Sequence, residues 1–462
     1  MEAPFDIAAD LDTPVSTYLK LGPLQPRYLL ESVEKGASLA RYSFLGFGDA
    51  LEFRSDEQGI HYGDVKLPPP QNQAELLDAL RDALSKTPRL LPEIEGLPFA
   101  GGLVGVAGYD TVRHFERLEN PPADHPGPAA PGIAYLGTES LLVFDHLSRR
   151  IALLHSGSEA EREQLMAEVR RLLAGPLPAT GAGSYEPAGQ SLSAEEFMGQ
   201  VASAKEYISK GDIYQIVLSV RFAGKHTLHP FECYRALRLL NPSPYMFYCD
   251  LGDTQVVGSS PEALVRLNSA TASLRPIAGT RPRGADMAED QANESSLLAD
   301  EKENAEHVML VDLARNDLGR VATGGSVYVD PYRSIERYSH VMHIVSGVQG
   351  ELRSDCDAFD LFAAAFPAGT LVGAPKVRAM ELIDELEPER RGLYAGTVGY
   401  FANNGDMDQA ITIRTLVFQG DHYSYQAGAG IVADSQPEYE YEEVLAKSEI
   451  LRRALAIAEE GL

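Results

Sequence analysis

Cysteine is scarce in this sequence, with only three among 462 residues. Cys233, Cys249 and Cys356 are widely spaced and odd in number, so they predict no disulfide framework and favour a reducing compartment. None has the neighbouring glycines of a glutaminase nucleophile elbow. Glycine-rich phosphate loops of the Walker and dinucleotide types are missing, as is a Gly-x-Ser-x-Gly elbow. The sequence therefore shows no sign of nucleotide binding or of a serine or cysteine nucleophile.

Positive charge is also in short supply, with 40 Lys and Arg against 67 Asp and Glu and a formal net charge of -27. Such a chain repels phosphate backbones and anionic membranes, so neither nucleic acid nor a membrane is expected as a partner. No apolar run approaches the length that spans a bilayer, and the acidic start lacks signal-peptide features. We expect a cytoplasmic protein, in which a small anionic substrate would need a basic pocket or a bound cation.

The length of the chain exceeds one compact core and predicts about two or three units. Residues 1–174 mix short β-like and helical stretches, and residues 175–191 (GPLPATGAGSYEPAGQS) form the best linker candidate. Residues 192–462 follow, beginning with a helix that Ser193 is predicted to cap and that runs to about Lys210. The predicted class is α+β, with a smaller N-terminal part and a larger C-terminal one.

Two Glu-x-x-Glu pairs stand out because each continues the apolar face of a predicted helix, over residues 297–318 and 439–459. The pairs are Glu303/Glu306 and Glu440/Glu443. Desolvated together, four carboxylates raise one another's pKa, and protonation, basic partners or a hard cation relieve this. Mg²⁺ takes oxygen ligands and often shares its sphere with an anionic substrate. The spacing alone also suits a solvated helix face, the commoner case in so acidic a chain.

Several other residues are candidates for a site. Glu262 lies in a turn after a predicted strand, and His340 and His343 share the face of a predicted helix. Arg414 lies within an apolar predicted strand, where it would bind a carboxylate or form an internal salt bridge. The Gly428–Gly430 backbone offers N–H groups to an anion, although such glycines often only mark a turn.

Nine segments, in order over residues 204–443, resemble the chorismate-utilising enzymes, and most of all the large subunits (component I) of anthranilate synthases. They are AKEYISKGDIYQIVLSVRF (204–222), GSSPE (258–262), RPIAGTRPRG (275–284), LLADEKENAEHVMLVDLARNDLGRV (297–321), RYSHVMHIVSGV (337–348), FPAGTLVGAPKVRAMELIDELEP (366–388), GLYAGTVGYF (392–401), AITIRT (410–415) and AGAGIVADSQPEYEYEE (427–443). LLESVEKG (29–36) and RYSFLG (41–46) are similar too, so the resemblance covers nearly the whole chain. It implies two large, mostly antiparallel β-sheets packed as a sandwich, with helices outside and the N-terminal part interleaved with the catalytic part.

The resemblance also implies roles for the matching positions. The Mg²⁺ positions are Glu303, Glu306, Glu440 and Glu443. The substrate-binding positions are Arg414, Tyr394, Lys447, Ala278, Gly279, Gly428, Ala429 and Gly430. The catalytic positions are Glu262, His343, Gln215 and Thr280. In this scheme Glu262 is the general acid on the departing C4 hydroxyl of chorismate, and His343, not His340, serves the later loss of pyruvate.

Two positions discriminate among the activities of this family. Relatives that attack chorismate with water carry a lysine base where this chain has Gln215, whereas ammonia needs no such base. Aminodeoxychorismate synthases carry a nucleophilic lysine at the position of Ala278. The resemblance thus implies a lyase that forms anthranilate and pyruvate through 2-amino-2-deoxyisochorismate. Aminodeoxychorismate synthase component I, an enzyme stopping at that intermediate, and a non-catalytic amino-acid-sensing subunit remain alternatives.

The resemblance implies two further partners. Since no amidotransferase module is visible, ammonia is expected from a separate glutamine amidotransferase subunit (component II). Feedback inhibition by L-tryptophan, the end product of the pathway that anthranilate opens, is the other expectation. The implied inhibitor pocket consists of Glu31, Ser32, Arg41, Pro244, Tyr245 and Met246. The chain itself contains no tryptophan, which suits a protein made when that amino acid is scarce.

Overall fold

The computed structural model describes residues 4–33, 41–119, 121–125, 128, 131–179, 181–337 and 341–462. The α-helices in this part of the chain are α1 (Pro14–Lys20), α2 (Gln73–Ser85), α3 (Glu159–Leu173), α4 (Ala194–Lys210), α5 (Pro230–Leu240), α6 (Met287–Ala299), α7 (Glu301–Gly319), α8 (Ala358–Ala365), α9 (Lys376–Leu386) and α10 (Pro437–Glu460). The strands are β1 (Ile7–Ala8), β2 (Pro26–Glu31), β3 (Tyr42–Asp56), β4 (Gly59–Tyr62), β5 (Val65–Leu67), β6 (Gly102–Ala107), β7 (Ile133–Asp145), β8 (Arg150–His155), β9 (Gly189–Gln190), β10 (Gln215–Lys225), β11 (Tyr245–Asp250), β12 (Gln255–Ser260), β13 (Ala263–Asn268), β14 (Thr271–Leu274), β15 (Ile277–Pro282), β16 (Tyr328–Val329), β17 (Ser334–Arg337), β18 (Val341–Val345), β19 (Val348–Glu351), β20 (Gly373–Ala374), β21 (Thr397–Ala402), β22 (Met407–Ile411), β23 (Thr415–Gln419) and β24 (His422–Ile431). No helix in these ranges is both long and apolar enough to cross a membrane.

The strands form two large antiparallel arms that share the long strands β3 and β7. Because the β3–β7 pairing is irregular between Phe47 and Ala50, the two halves of β3 have different outer neighbours. One arm runs β1-β8-β7-β3-β2-β11-β12-β23-β24-β10. The other runs β5-β4-β3-β7-β6-β21-β22-β13-β14-β19-β16. The predicted pair of large antiparallel sheets is confirmed, and a small sheet, β15-β18-β17, stands apart from both arms.

The buried apolar side chains form two clusters, and their composition shows that the helices lie outside the sandwich. One buried cluster draws on strands of both arms and on loops but on no described helix, for example Tyr28 and Phe247 from one arm and Val104 and Val398 from the other. The larger cluster includes buried residues of α2, α4, α5, α8 and α10. The first cluster therefore fills the sandwich, while the helices cover its outer faces, as burial of both faces of each sheet requires.

The N-terminal and C-terminal parts share these sheets, as the resemblance implies. β2 pairs with β11 through Leu30↔Phe247, and β6 pairs with β21 through Val104↔Tyr400. Residues 175–191 are mostly irregular in their described part, although Gly189–Gln190 pairs with β10. The division into 1–174, 175–191 and 192–462 stays a prediction about the sequence, because the sheets are continuous across it.

Local sequence explains where the helices near the candidate site begin and end. α4 begins after Ser193, whose hydroxyl accepts the Glu196 N–H in a capping box, and ends before Gly211 in the left-handed conformation, as predicted. The helix predicted over residues 297–318 is in fact two helices, α6 and α7. Asp300 separates them because its extended backbone breaks the first helix and its carboxylate caps the second at Glu303.

The predicted helix around His343 is wrong. Val341–Val345 is strand β18, in which Met342 and Ile344 are buried on one face while His343 points the other way. This alternation is the period of a strand. His343 therefore lies on no helix face, and His340 lies outside the described residues.

The shared sheets predict that residues 192–462 do not fold alone. Without the N-terminal part, β11 loses β2 and β21 loses β6, which leaves backbone hydrogen-bonding groups and the apolar interior of the sandwich in water. We expect the purified 192–462 fragment to aggregate or to show no cooperative thermal transition by circular dichroism. A monomeric fragment that melts cooperatively like the full chain would contradict this arrangement.

Candidate active site

A cavity of roughly 390 Å³ brings together most of the residues implied by the resemblance. It lies between α7, α10 and strands β10 and β24. The implied residues that line it are Gln215, Glu262, Glu303, Glu306, Tyr394, Arg414, Gly428, Gly430, Glu440, Glu443 and Lys447. Lys302, Thr370, Gln426 and Ser435 line it as well. Sequence reasoning missed these four, although Thr370, Lys302 and Ser435 fall within the segments that carry the resemblance.

Close packing of backbone against side chain shapes one wall of this cavity. A Cβ atom at Gly428 would lie 2.7 Å from both the Tyr394 hydroxyl oxygen and the Leu218 carbonyl oxygen. A Cβ atom at Gly430 would lie 3.0 Å from Nε2 of Gln215. Glycine is required at Gly428 because any side chain would displace these groups. Ala429, between them, is fully buried, is part of the core and does not line the cavity.

Among the carboxyl groups that line the cavity, Glu262 has the most strongly raised pKa. It follows strand β12, and the Thr370 hydroxyl donates a 3.0 Å hydrogen bond to its Oε1. Burial raises the pKa of Glu262 from 4.5 to about 7, against the opposing effects of Thr370 and of the cation Arg414. A group with this pKa holds a proton near neutral pH, as a general acid must.

Arg414 faces the same cavity from a turn. It lies between β22 and β23 with a φ of 50°, so the prediction that it sits within a strand is wrong. A left-handed backbone at a non-glycine residue costs free energy and persists only where surrounding contacts enforce it. Desolvation lowers the pKa of Arg414, whereas Glu262 raises it. Since Arg414 forms no salt bridge with any described residue, its guanidinium is available for a carboxylate of a ligand.

The four glutamates of the two pairs line this one cavity from α7 and α10. Burial raises the pKa of Glu306, and Glu303 raises it further; burial also raises the pKa of Glu440. Glu303 pairs with Arg281 at 3.4 Å. Glu443 pairs with Lys447 at 2.6 Å, and Lys447 also donates to the Gly428 carbonyl at 3.0 Å. Two of the four carboxylates, those of Glu303 and Glu443, thus already form salt bridges.

Whether these residues suit Mg²⁺ depends on donor type and on spacing. The donor set is right, because it offers only carboxylate oxygens, and the buried Oε1 of Gln215 in the same cavity has no hydrogen-bond partner among the described residues. The distances between the carboxylate side chains, however, are not those of a metal site. No three His, Cys, Asp or Glu side chains in the described ranges are gathered closely enough to hold an ion. Binding would therefore require movement of these flexible side chains.

The remaining implied residues lie on the small sheet beside the cavity. His343 on β18 is paired with Thr280 on β15, and a bulge places Gly279 there with a φ of 67°. Nδ1 of His343 lies 2.9 Å from the Gly279 carbonyl and 3.2 Å from the Thr280 hydroxyl. Burial lowers the pKa of His343. A Cβ atom at Gly279 would lie 3.2 Å from Oε2 of Glu303, so this sheet contacts the carboxylate cluster. Ala278, Gly279, Thr280 and His343 do not line the cavity itself.

A second cavity, of roughly 150 Å³, is lined by all six residues of the implied inhibitor pocket: Glu31, Ser32, Arg41, Pro244, Tyr245 and Met246. Glu31 is held by Arg238 at 2.9 Å and 3.1 Å and by the Tyr234 hydroxyl. The buried Ser32 hydroxyl has no hydrogen-bond partner among the described residues. No sequence pattern points to Arg238, because its ion pair joins α5 to β2 across the fold.

Comparison with known proteins gives a consistent result. The chorismate binding enzyme family matches residues 25–453. Anthranilate synthase component 1 of Thermus thermophilus is 46% identical over 461 residues, covering 98% of this chain and 97% of that protein. The same-named protein of Aquifex aeolicus is 45% identical, covering 99% and 94%. The crystal structure of anthranilate synthase component I from Streptococcus pneumoniae superposes with a TM-score of 0.80 at 35% identity, covering 98% and 100%. The menaquinone-specific isochorismate synthase of Escherichia coli shares the fold, with a TM-score of 0.71 at 19% identity over 96% and 92%.

The raised pKa of Glu262 predicts a pH-dependent penalty on folding. In the unfolded chain this group ionises near pH 4.5, whereas in the folded protein it stays protonated to about pH 7. Stability contributed by the protonated form is therefore lost as the pH rises from 4.5 through 7, by up to about 3 kcal/mol. Glu262→Gln removes this loss. Urea unfolding at pH 5 to 8 should show the variant gaining stability relative to the wild type as pH rises; a pH-independent difference would contradict the shift.

Proposed function

The chain belongs to the chorismate binding enzymes, and we propose that it combines chorismate with ammonia to give anthranilate and pyruvate. The observation that carries the chemistry is Glu262, a carboxyl group with a pKa of about 7 in the same cavity as the cation Arg414. A proton donor beside a carboxylate-binding group is what elimination of a hydroxyl from a dianionic substrate needs. The relatives named anthranilate synthase component 1, which match nearly the full chain, support the choice of product.

In the first step ammonia attacks C2 of chorismate, the ring double bonds shift, and the C4–O bond breaks. Glu262 transfers its proton to the departing hydroxyl, which leaves as water, so no hydroxide is released. Arg414 and the Gly428 and Gly430 backbone hold the substrate's carboxylates. Gln215 lines the attack site with a neutral carboxamide, which suits ammonia because it needs no base to become a nucleophile. The product of this step is 2-amino-2-deoxyisochorismate.

In the second step His343, on the small sheet beside the cavity, removes the proton from C2, the bond from C3 to the enolpyruvyl oxygen breaks, and the ring becomes aromatic. The leaving group is the enolate of pyruvate, which takes up a proton at its CH2 carbon to become pyruvate and so returns the proton that His343 removed. Burial keeps His343 neutral at neutral pH, which is the form that accepts a proton. A hydrogen bond from the Nδ1–H group to the Gly279 carbonyl oxygen leaves Nε2 as the basic nitrogen. The sum is chorismate plus ammonia to anthranilate, pyruvate and water.

We propose that Mg²⁺ serves this reaction, held by Glu303, Glu306, Glu440 and Glu443. When bound, the ion supplies positive charge that neutralises the ring carboxylate of chorismate and orients the ring. The support is the oxygen-only donor set on two helices that face one cavity, together with the raised pKa values of Glu306 and Glu440. Clustered carboxylates repel one another, and a divalent cation relieves that repulsion.

The source of ammonia in this proposal is a separate glutamine amidotransferase subunit, component II. The chain is similar along almost its whole length to proteins named component 1 of the synthase. High ammonium should replace that subunit in vitro.

The decisive assay uses the purified chain with chorismate, Mg²⁺ and ammonium, followed by mass spectrometry of the products. Anthranilate and pyruvate in equal amounts are expected. A product aminated at C4, accumulation of 2-amino-2-deoxyisochorismate, or a hydroxylated ring would assign one of the other family activities instead. Absence of any turnover would overturn an enzymatic role.

Inhibition by L-tryptophan is proposed for the second cavity. Its Glu31 carboxylate is buried against Arg238, and the Ser32 hydroxyl, without a hydrogen-bond partner among the described residues, lies in a space lined by Pro244, Tyr245 and Met246. A buried hydroxyl without a hydrogen bond costs about 1–3 kcal/mol, so a ligand that completes the bond is stabilised.

Replacing Glu303 tests the metal assignment. Glu303→Gln removes one carboxylate and its charge, so Mg²⁺ should raise the melting temperature of the substrate-free variant less than that of the wild type, and Mg²⁺-dependent turnover should disappear. Glu442→Gln, on an exposed face of α10, is the matched control and should behave like the wild type. Equal Mg²⁺ responses in all three proteins would rule out Glu303 as a ligand.

Replacing Ser32 tests the inhibitor pocket. Ser32→Ala removes the hydroxyl that a ligand would engage, so we expect tryptophan inhibition to weaken by about tenfold, the value of one lost hydrogen bond. Activity without tryptophan should not change, because Ser32 does not line the active-site cavity. Inhibition curves with and without the substitution provide the measurement, and superimposable curves would argue against this site.

A further inference from the structure

A buried ion pair lies directly behind the active-site cavity. Glu387 and Arg391 meet in two parallel hydrogen bonds of 2.8 Å, and their side chains are only 3% and 1% exposed. Burying two charges is costly, and the attraction between them repays this only when the remaining donors and acceptors are also satisfied. The hydrogen bonds that Glu387 and Arg391 form with other residues therefore indicate what the ion pair contributes to the fold.

Those bonds lead to the walls of the cavity. Arg391 donates from Nη1 to the Leu371 carbonyl and from Nη2 to the Val217 carbonyl, both at 2.7 Å. Val217 and Leu371 line the cavity, whereas Glu387 and Arg391 do not. Four of the five guanidinium N–H groups are thereby used, two on the carboxylate and two on cavity walls from different segments of the chain.

The ion pair is also linked to two side chains that line the cavity, Tyr394 and Gln426. The Arg391 guanidinium lies over the Tyr394 ring, 5.6 Å from its centre. On the other side Glu387 accepts from the Ser219 hydroxyl at 2.7 Å, and that hydroxyl accepts from Nε2 of Gln426 at 2.8 Å. The position of Tyr394 matters further, since its hydroxyl limits the space at Gly428.

From this convergence we propose that Arg391, fixed by Glu387, is a positioning residue for the reaction: it sets the spacing of the cavity walls without touching the substrate. The inference rests on the proposed function in taking this cavity as the chorismate site. Val217 lies 174 residues before Arg391 and Leu371 lies 20 residues before it, and the rigid, planar guanidinium ties both backbones to the nearby Tyr394 ring. Lysine, with one flexible nitrogen, cannot reproduce these contacts.

Arg391→Lys tests the proposal, with Arg113→Lys as the matched control. Arg113 also binds a carboxylate bidentately, Asp384 at 2.8 and 2.9 Å, and is largely buried, but neither residue lines the cavity. Both variants should lose stability. At a temperature where both are folded, Arg391→Lys should lose about a hundredfold in kcat/KM for chorismate, the scale of a small misplacement of reacting groups. Arg113→Lys should keep wild-type values.

Hydrogen exchange provides a readout that does not depend on activity. Arg391→Lys should increase exchange in segments 215–219, 369–373 and 392–396, while Arg113→Lys should not. Ser219→Ala keeps the ion pair intact and removes the hydroxyl between Glu387 and Gln426, so it supplies a milder second test, with loosening of 424–428 and a smaller loss of kcat/KM.

The outcomes separate the two proposals. Loosening of the three segments in a chain whose wild type makes no anthranilate would refute the proposed function, while the role of Arg391 in setting the spacing of the cavity walls would stand. Wild-type exchange and wild-type kinetics in Arg391→Lys and Ser219→Ala would overturn the positioning role, as would equal effects of Arg113→Lys on the same segments.

Discussion

Repulsion among carboxyl groups is the constraint on which the rest of this structure depends. Five carboxyl groups line the cavity, those of Glu262 and of the four glutamates on α7 and α10, and among the described residues three cations face them. The proposed substrate carries two more negative charges. Protonation of Glu262 removes one charge, and Arg414 and Lys447 offset others. A divalent cation would complete the balance, so the metal, the acid and the substrate would act as one electrostatic unit.

The fold holds this unit together from elements that are far apart in sequence. Two helices bring the glutamates, β10 and β24 supply Gln215 and the glycines, and the Glu387–Arg391 pair joins the walls behind them. The second cavity belongs to the same framework. Tyr245 and Met246 pair with Ser260 and Ser259 of β12, the strand that ends just before Glu262. A ligand in the second cavity would therefore lie against residues that pair with the strand leading to Glu262.

Periodicity in the sequence was a good guide to helices and a poor guide to the site. It predicted α10, whose buried face packs on the core, but the glutamates do not lie on that face: Glu440 is half-buried and Glu443 is exposed, and both reach the cavity from its edge. It missed the break at Asp300, where a side-chain cap competes with helix continuation, and it took β18 for a helix. It placed Arg414 in a strand because strained turns leave no periodic signal. The resemblance supplied the site residues, yet the Glu387–Arg391 contacts to Val217 and Leu371 could not be predicted from it, since pairings between distant segments depend on the folded geometry.

The most direct test of the account is calorimetric titration of the resting protein with chorismate, without ammonium, in the presence of Mg²⁺ and again in the presence of a chelator. If the carboxylate cluster needs a cation before it accepts a dianion, binding should be measurable with Mg²⁺ and should be lost or strongly weakened without it. Equal affinity under the two conditions would contradict the account, because the cavity would then bind the dianion through Arg414 and Lys447 alone.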